Sequence, residues 1–136
     1  MAYEEGLRSI TLVADSTLAA YTGVPGQPGS PSPHGANQYC FVRVTGAKQV
    51  GLADESTPTV GVLQNKPQTD GSAATVAIRG VSKCVAGGAV NAGDSVKVNA
   101  ADGKAVTGTL GTDTIVGIAL TSGSADEIIS VLLSVN

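Results

Sequence analysis

The chain has 136 residues, 18 Gly and 6 Pro, 14% charged side chains and a net charge of −3 at pH 7, enough for one domain with one core. Its Lys and Arg are scattered under a net negative charge, which excludes a nucleic-acid binder, because phosphate neutralisation needs clustered cations. No apolar run approaches the roughly 18 residues of a membrane span, and the longest, 128–133, is broken by Ser130.

Residues 1–36 read as an extended N-terminal arm and residues 37–136 as the folded β domain. The acidic start, Met1 to Glu5, lacks the apolar run of a secretory leader, so none is expected. A short apolar run follows at 9–14, punctuated by Asp15 and Ser16. Gly23, Gly26 and Gly29 then open three Gly-X-Pro triplets closed by Pro25, Pro28 and Pro31. Pro removes a backbone donor and Gly removes packing, so neither helix nor central strand fits there. Three triplets are too few for a collagen-like helix, which leaves an extended polyproline-like loop.

From Gln38 onward the pattern is β. Cys40, Val42 and Val44 alternate with Tyr39, Phe41 and Arg43. Short runs follow at 49–53 and 59–64. In the next run, 75–79, Val76 and Ile78 are expected to point inward. Gly80 signals a bulge or a close backbone approach. Residues 81–85 and 95–99 continue the series, and Asp102-Gly103 marks a hairpin returning through 104–107. The continuous apolar runs 115–120 and 128–135 predict strands covered on both faces. Eight or so short strands with frequent turns predict an all-β fold, a small barrel or sandwich, and no helical stripe competes.

Reactive chemistry is sparse. The one His, His34, lies in the Pro-rich loop, and Cys40 and Cys84 sit in predicted strands without a neighbouring base. Free, buried thiols are the expected state; a disulfide requires adjoining strands. No metal set forms, and Asp94, Asp102, Asp113 and Asp126 follow no calcium-loop spacing. Gly103-Lys104 is followed by Ala105 where a phosphate loop needs Ser or Thr, and the Gly-rich stretch 86–93 has no following helix to complete a dinucleotide site. Lys104 beside a hairpin invites a lipoyl- or biotinyl-carrier reading, but no Met flanks it. No catalytic residues, no cofactor and no enzyme are expected. The four aromatics, Tyr3, Tyr21, Tyr39 and Phe41, all precede Val42, so the remainder builds an aliphatic core without a stacking platform.

The ordered succession of pieces resembles a known family. It runs from Gln38 to Val44, Val60 to Pro67, Ala74 to Gly87, Val90 to Val96, Asp102-Gly103, Val116 to Leu120 and Ile129 to Leu133. Together these resemble the capsid decoration, or head cement, proteins of tailed bacteriophages, over roughly Gln38 to Val135. The pieces from Tyr3 to Ile10 and from Tyr21 to Gly26 are similar to the actinobacterial-phage branch. The resemblance implies a small β-barrel or β-tulip domain of short antiparallel strands. It implies a homotrimer that binds the major capsid protein on the outer capsid surface, after assembly in the host cytoplasm, and stabilises the shell. A virion-displayed host-surface or glycan-binding module is the alternative, disfavoured by the lack of aromatics after Phe41. Because aromatics favour interfaces, the expected contact residues are Tyr3, Leu7, Ile10, Leu12, Tyr21, Val24, Pro25, Pro28 and Pro31.

Overall fold

A computed structural model describes residue 2 and residues 4–18, 37–67 and 70–134. Among them the fold is all-β. The strands are β1 (Glu5–Ala14), β2 (Phe41–Gly46), β3 (Gln49–Leu52), β4 (Thr59–Leu63), β5 (Ala73–Val85), β6 (Ser95–Val98), β7 (Ala105–Thr107), β8 (Gly117–Ala119) and β9 (Ile128–Leu133). They form one sheet in the order β1-β3-β2-β4-β5-β9-β8-β6-β7, and β1 also pairs with β5. That extra pairing closes β1, β3, β2, β4 and β5 into a five-stranded ring, so the sheet is a small barrel with a continuation. The β1–β3 pair is parallel and the other strand pairs are antiparallel.

The continuation also curls back. Beyond β5 come β9, β8, β6 and β7, and Ala105 of β7 forms a parallel bridge with Ala86, the residue after β5. The Gly87 N–H donates to the Ala105 carbonyl at 2.8 Å. The outer edge of β7 therefore receives backbone bonds where an open edge would invite pairing with another chain.

Two cores follow from this plan. Ala14, Leu18, Val42, Val50, Leu63, Ala74 and Val76 form one, and every ring strand contributes to it, so it fills the ring. The other contains Phe41, Val62, Ala77, Cys84, Val96, Val98, Val116, Ile129 and Val131. Strands β2, β4 and β5 form the wall between the cores. Cys40, Phe41 and Val42 are consequently all buried, and burial does not alternate along this segment as the simple pattern suggests. From Arg43 onward the strand emerges, and Val44 is 52% exposed.

Gly80 divides β5 by function. Residues before it pair with β1 and β4, and residues from Gly80 to Val85 pair with β9, with Val81 also meeting Glu5 of β1. It has φ +98°, and a Cβ there would run into the Gly6 carbonyl of β1, which confirms a close backbone approach. The β1–β5 register shifts between Glu5 and Arg8 and again between Arg8 and Ser9. Gly80→Ala combines a disfavoured backbone angle with this clash, so it is expected to cost about 2–3 kcal/mol. A lowered urea midpoint with unchanged m-value would report it.

The hairpin predicted at Asp102-Gly103 is present. Strands β6 and β7 pair antiparallel, Gly103 takes φ +68°, and the Asn99 N–H donates to Lys104 O at 2.8 Å. The runs 115–120 and 128–135 behave differently from expectation. Ile118 and Leu132 lie directly opposite each other on β8 and β9, and they are 44% and 43% exposed. Leu120 and Ile128 are exposed as well. Ile129, Val131 and Leu133 are buried on the inward side of β9, and on its outward face Ser130 is buried between the exposed Ile128 and Leu132.

Candidate functional site

The ring has one end pinned and one end open. At the pinned end, Asp15 accepts hydrogen bonds from the Thr17 N–H at 2.8 Å and the Thr17 hydroxyl at 2.6 Å. Its second oxygen accepts from the Thr45 hydroxyl at 2.8 Å. Thr17 Oγ1 in turn accepts from the Leu52 N–H at 2.9 Å. Gly51 makes room for this, since a Cβ there would strike the Asp15 carboxylate. Asn37 Nδ2 donates to the Thr17 carbonyl at 3.0 Å, and Leu18 is buried in the ring core. The chain thus departs at Leu18 and returns at Asn37 beside the same turn.

The open end is a mouth of about 580 Å³, walled by Val44 of β2, Pro58 and Val60 at β4, and Ile78 and Arg79 of β5. Val60 and Ile78 extend the ring core outward as partly buried side chains. Arg79 stands directly opposite Arg8 of β1. The segment Thr57–Thr59 separates this mouth from a second hollow of about 320 Å³, which is lined also by Asp54, Glu55, Lys97 and Ile115.

Carboxylates surround Lys97, the cation that lines the second hollow, and also Arg43 and Lys104 elsewhere. Lys97 Nζ lies 3.5 Å from both Glu55 and Asp113, and these carboxylates hold its pKa above the usual lysine value, Asp113 most strongly. The Asp113 carboxyl is held below its ordinary range, chiefly by the N–H of Thr109. Asp54 is lowered chiefly by the Ser56 hydroxyl and lies 3.6 Å from Arg43 Nε. Lys104, the residue a carrier domain would modify, is clasped by Asp126 at 2.6 Å and Asp102 at 3.8 Å. The Asp126 hydrogen bond is the largest cause of its raised pKa.

The thiols are free and buried. Burial pushes Cys40 up to about 11 and Cys84 higher still, so neither is a nucleophile at neutral pH. Among the described residues no three His, Cys, Asp or Glu side chains gather to hold a metal.

Of the expected contact residues, Leu7, Ile10 and Leu12 lie on β1. Leu7 packs against the larger core and Leu12 against the ring core, while Ile10 is 39% exposed. Tyr3, Tyr21, Val24, Pro25, Pro28 and Pro31 lie outside the described residues. Sequence reasoning did not single out Arg8, Val44 and Arg79 at the mouth, or the opposed Ile118 and Leu132. The available signal was charge at the end of an alternating run, as at Arg79 after Val76 and Ile78.

The site is thus a closed aliphatic barrel with exposed apolar and cationic rims and two thiols buried in its core. The chain belongs to the phage cement protein family, which matches residues 35–134. It is therefore a capsid-associated structural protein of bacteriophages. Among solved structures it is similar to the N base of head fiber gp8.5 of bacteriophage phi29, with a TM-score of 0.63 and 19% identity over 94% of each chain. That likeness extends the shared fold beyond the family match. No curated protein sequence matches the chain.

Proposed function

We propose that the chain is a decoration subunit that binds the outer surface of an assembled phage capsid and stabilises the shell. The observation that carries this is the cement-family match across residues 35–134. No enzymatic step belongs to this reading. The partner is the major capsid protein, and the subunit acts as a homotrimer. Self-association is supported by the open apolar row of Ile118, Leu120, Ile128 and Leu132, which a second copy would cover. The proposed contact residues remain Leu7, Ile10 and Leu12 on β1, together with Tyr3, Tyr21, Val24, Pro25, Pro28 and Pro31.

The test is co-sedimentation of the purified chain with capsids that lack it, followed by heating of decorated and bare shells. Saturable binding with a higher disruption temperature is expected, and absence of binding would overturn the reading. Native mass spectrometry reads the oligomer. A trimer is expected for the native chain, and Leu132→Asp is expected to shift it to monomer with the barrel intact. A monomer that still saturates capsids would remove the trimer while leaving decoration standing. Excising residues 22–34 behind a short linker tests the Pro-rich contacts, because Leu18 and Asn37 already meet at one turn. Removing residues 2–20 would instead delete β1 and open the ring.

A further inference from the structure

Three features of the β1–β5 junction combine at the open end of the ring. The first is a free strand edge. β1 pairs with β5 from Glu5 to Val13, but its other edge meets β3 only at Val13 and Ala14. The Val13 N–H donates to Lys48 O, whereas the Ala14 N–H donates to Ser72 O on the β5 side. Backbone groups alternate sides along a strand, so the peptide groups of Thr11 and Ser9 face away from β5. Among the described residues no strand receives them. Edges of this kind pair readily with an extended segment.

The second feature is charge. Arg8 and Arg79 are exposed and directly opposed on neighbouring strands, a repulsive arrangement. Arg43, Lys97 and Lys104 each have a carboxylate within 4 Å, but neither Arg8 nor Arg79 does among the described residues. Glu4 and Glu5, the nearest acids along β1, make no ion pair with them. Two guanidinium groups side by side match a carboxylate-bearing ligand, which they can grip through paired N–H donors.

The third feature is apolar. The mouth of about 580 Å³ exposes Val44, Val60 and Ile78 beside Arg79. This volume leaves ample room for an apolar side chain.

We propose that this mouth receives an extended acidic segment of the shell protein. The segment adds to the free edge of β1, sets its carboxylates on Arg8 and Arg79, and inserts an apolar side chain between Val44, Val60 and Ile78. This rests on the decoration reading and names its docking surface and the chemistry of its partner. A nucleic acid is the less suitable anion for a chain of net charge −3, because it offers no apolar anchor and no strand to pair.

The test is quantitative co-sedimentation with undecorated capsids. Arg8→Glu places a carboxylate opposite Arg79, so it forms an internal ion pair and folds at least as stably as the native chain. It is nevertheless expected to raise the half-saturating concentration about ten-fold. Val44→Glu, at an exposed position, is expected to do the same, with an unchanged thermal midpoint. Lys83→Glu, an equal charge reversal on the far half of β5, is expected to leave binding unaltered. Raised salt should weaken the native chain more than Arg8→Glu. Native binding with full binding by Arg8→Glu and Val44→Glu would overturn this docking surface and leave decoration intact. An equal loss with Lys83→Glu would reduce the effect to bulk charge and also overturn it. Failure of the native chain to sediment would overturn both readings.

Discussion

Phe41→Ala is expected to remove about 4 kcal/mol of folding stability and to lower the thermal midpoint by roughly 15 °C. Phe41 is wholly buried and is the only Phe in the chain. It starts β2, in the wall between the two cores, and is paired with Val62 of β4. Its N–H donates to the Gly103 carbonyl at 2.8 Å and its carbonyl accepts from the Ala53 N–H at 3.0 Å. The residue therefore ties the β6–β7 hairpin to the ring as well as filling the larger core. The companions of its ring in that core are chiefly Val and Ala, with Cys84, Ile129 and Leu133. Such short side chains reach little further than they already do, so the void would stay open and its cost would stay near the upper part of the usual range. Phe41→Leu retains most of the volume and is expected to recover more than half of the loss. Urea denaturation of the three proteins decides this. A loss of under about 1 kcal/mol for Phe41→Ala would show that the core collapses around the gap.

Much of the barrel was legible because its strands carry β-branched and apolar residues between clear turn signals. The hairpin at Gly103 and the close approach at Gly80 were readable from glycine alone, since both positions require a positive φ. β1 was not read as a strand: only the apolar run 9–14 stood out, within residues read as an extended arm. Its first half holds Gly6 at φ +58° and two register shifts around Arg8, which erase any period-two pattern. The face of β8 and β9 was misread for a different reason. A continuous apolar run is what a strand buried on both sides produces. Here the outward residues Ile118 and Leu132 are apolar and exposed among the described residues. A sequence records that a side chain avoids water, but it does not record whether its own chain or another supplies the cover. The same limit hid the mouth. Val44 and Ile78 continue patterns whose inner members are buried, and only the stagger of strands around the ring decides where burial stops. Arg8 and Arg79 are distant in sequence, and closure of the ring is what makes them opposite.

Above pH 9 the folded protein is expected to lose stability, and the two buried thiols set the sign. Cys40 is raised from 9.0 to about 11 chiefly by burial, with Lys104 opposing and Asp102 adding to the shift. Cys84 is wholly buried and shifts further in the same direction. Below pH 9 both thiols are protonated whether the chain is folded or not, so neither contributes a slope. Between pH 9 and 11 the unfolded chain releases these protons while the folded chain keeps them, and deprotonation favours unfolding. One thiol across that window costs about 2.7 kcal/mol, and Cys84 steepens the fall. Lys97 and Lys104 act later. Their raised pKa values mean that their ion pairs persist past the ordinary lysine value of 10.5 and are lost only as pH climbs through the shifted ones. Carrying Cys40→Ala and Cys84→Ala together separates these contributions. The double variant is expected to be less stable at pH 7, because two buried side chains are trimmed, but nearly flat between pH 9 and 10.5. Urea midpoints across this range are the measurement, joined by alkylation of the native chain at pH 9. Thiols that ionise only on unfolding should react at the unfolding rate. Rapid labelling of folded protein at pH 9, or equal slopes in both proteins, would show that solvent reaches the thiols and that burial does not hold their protons.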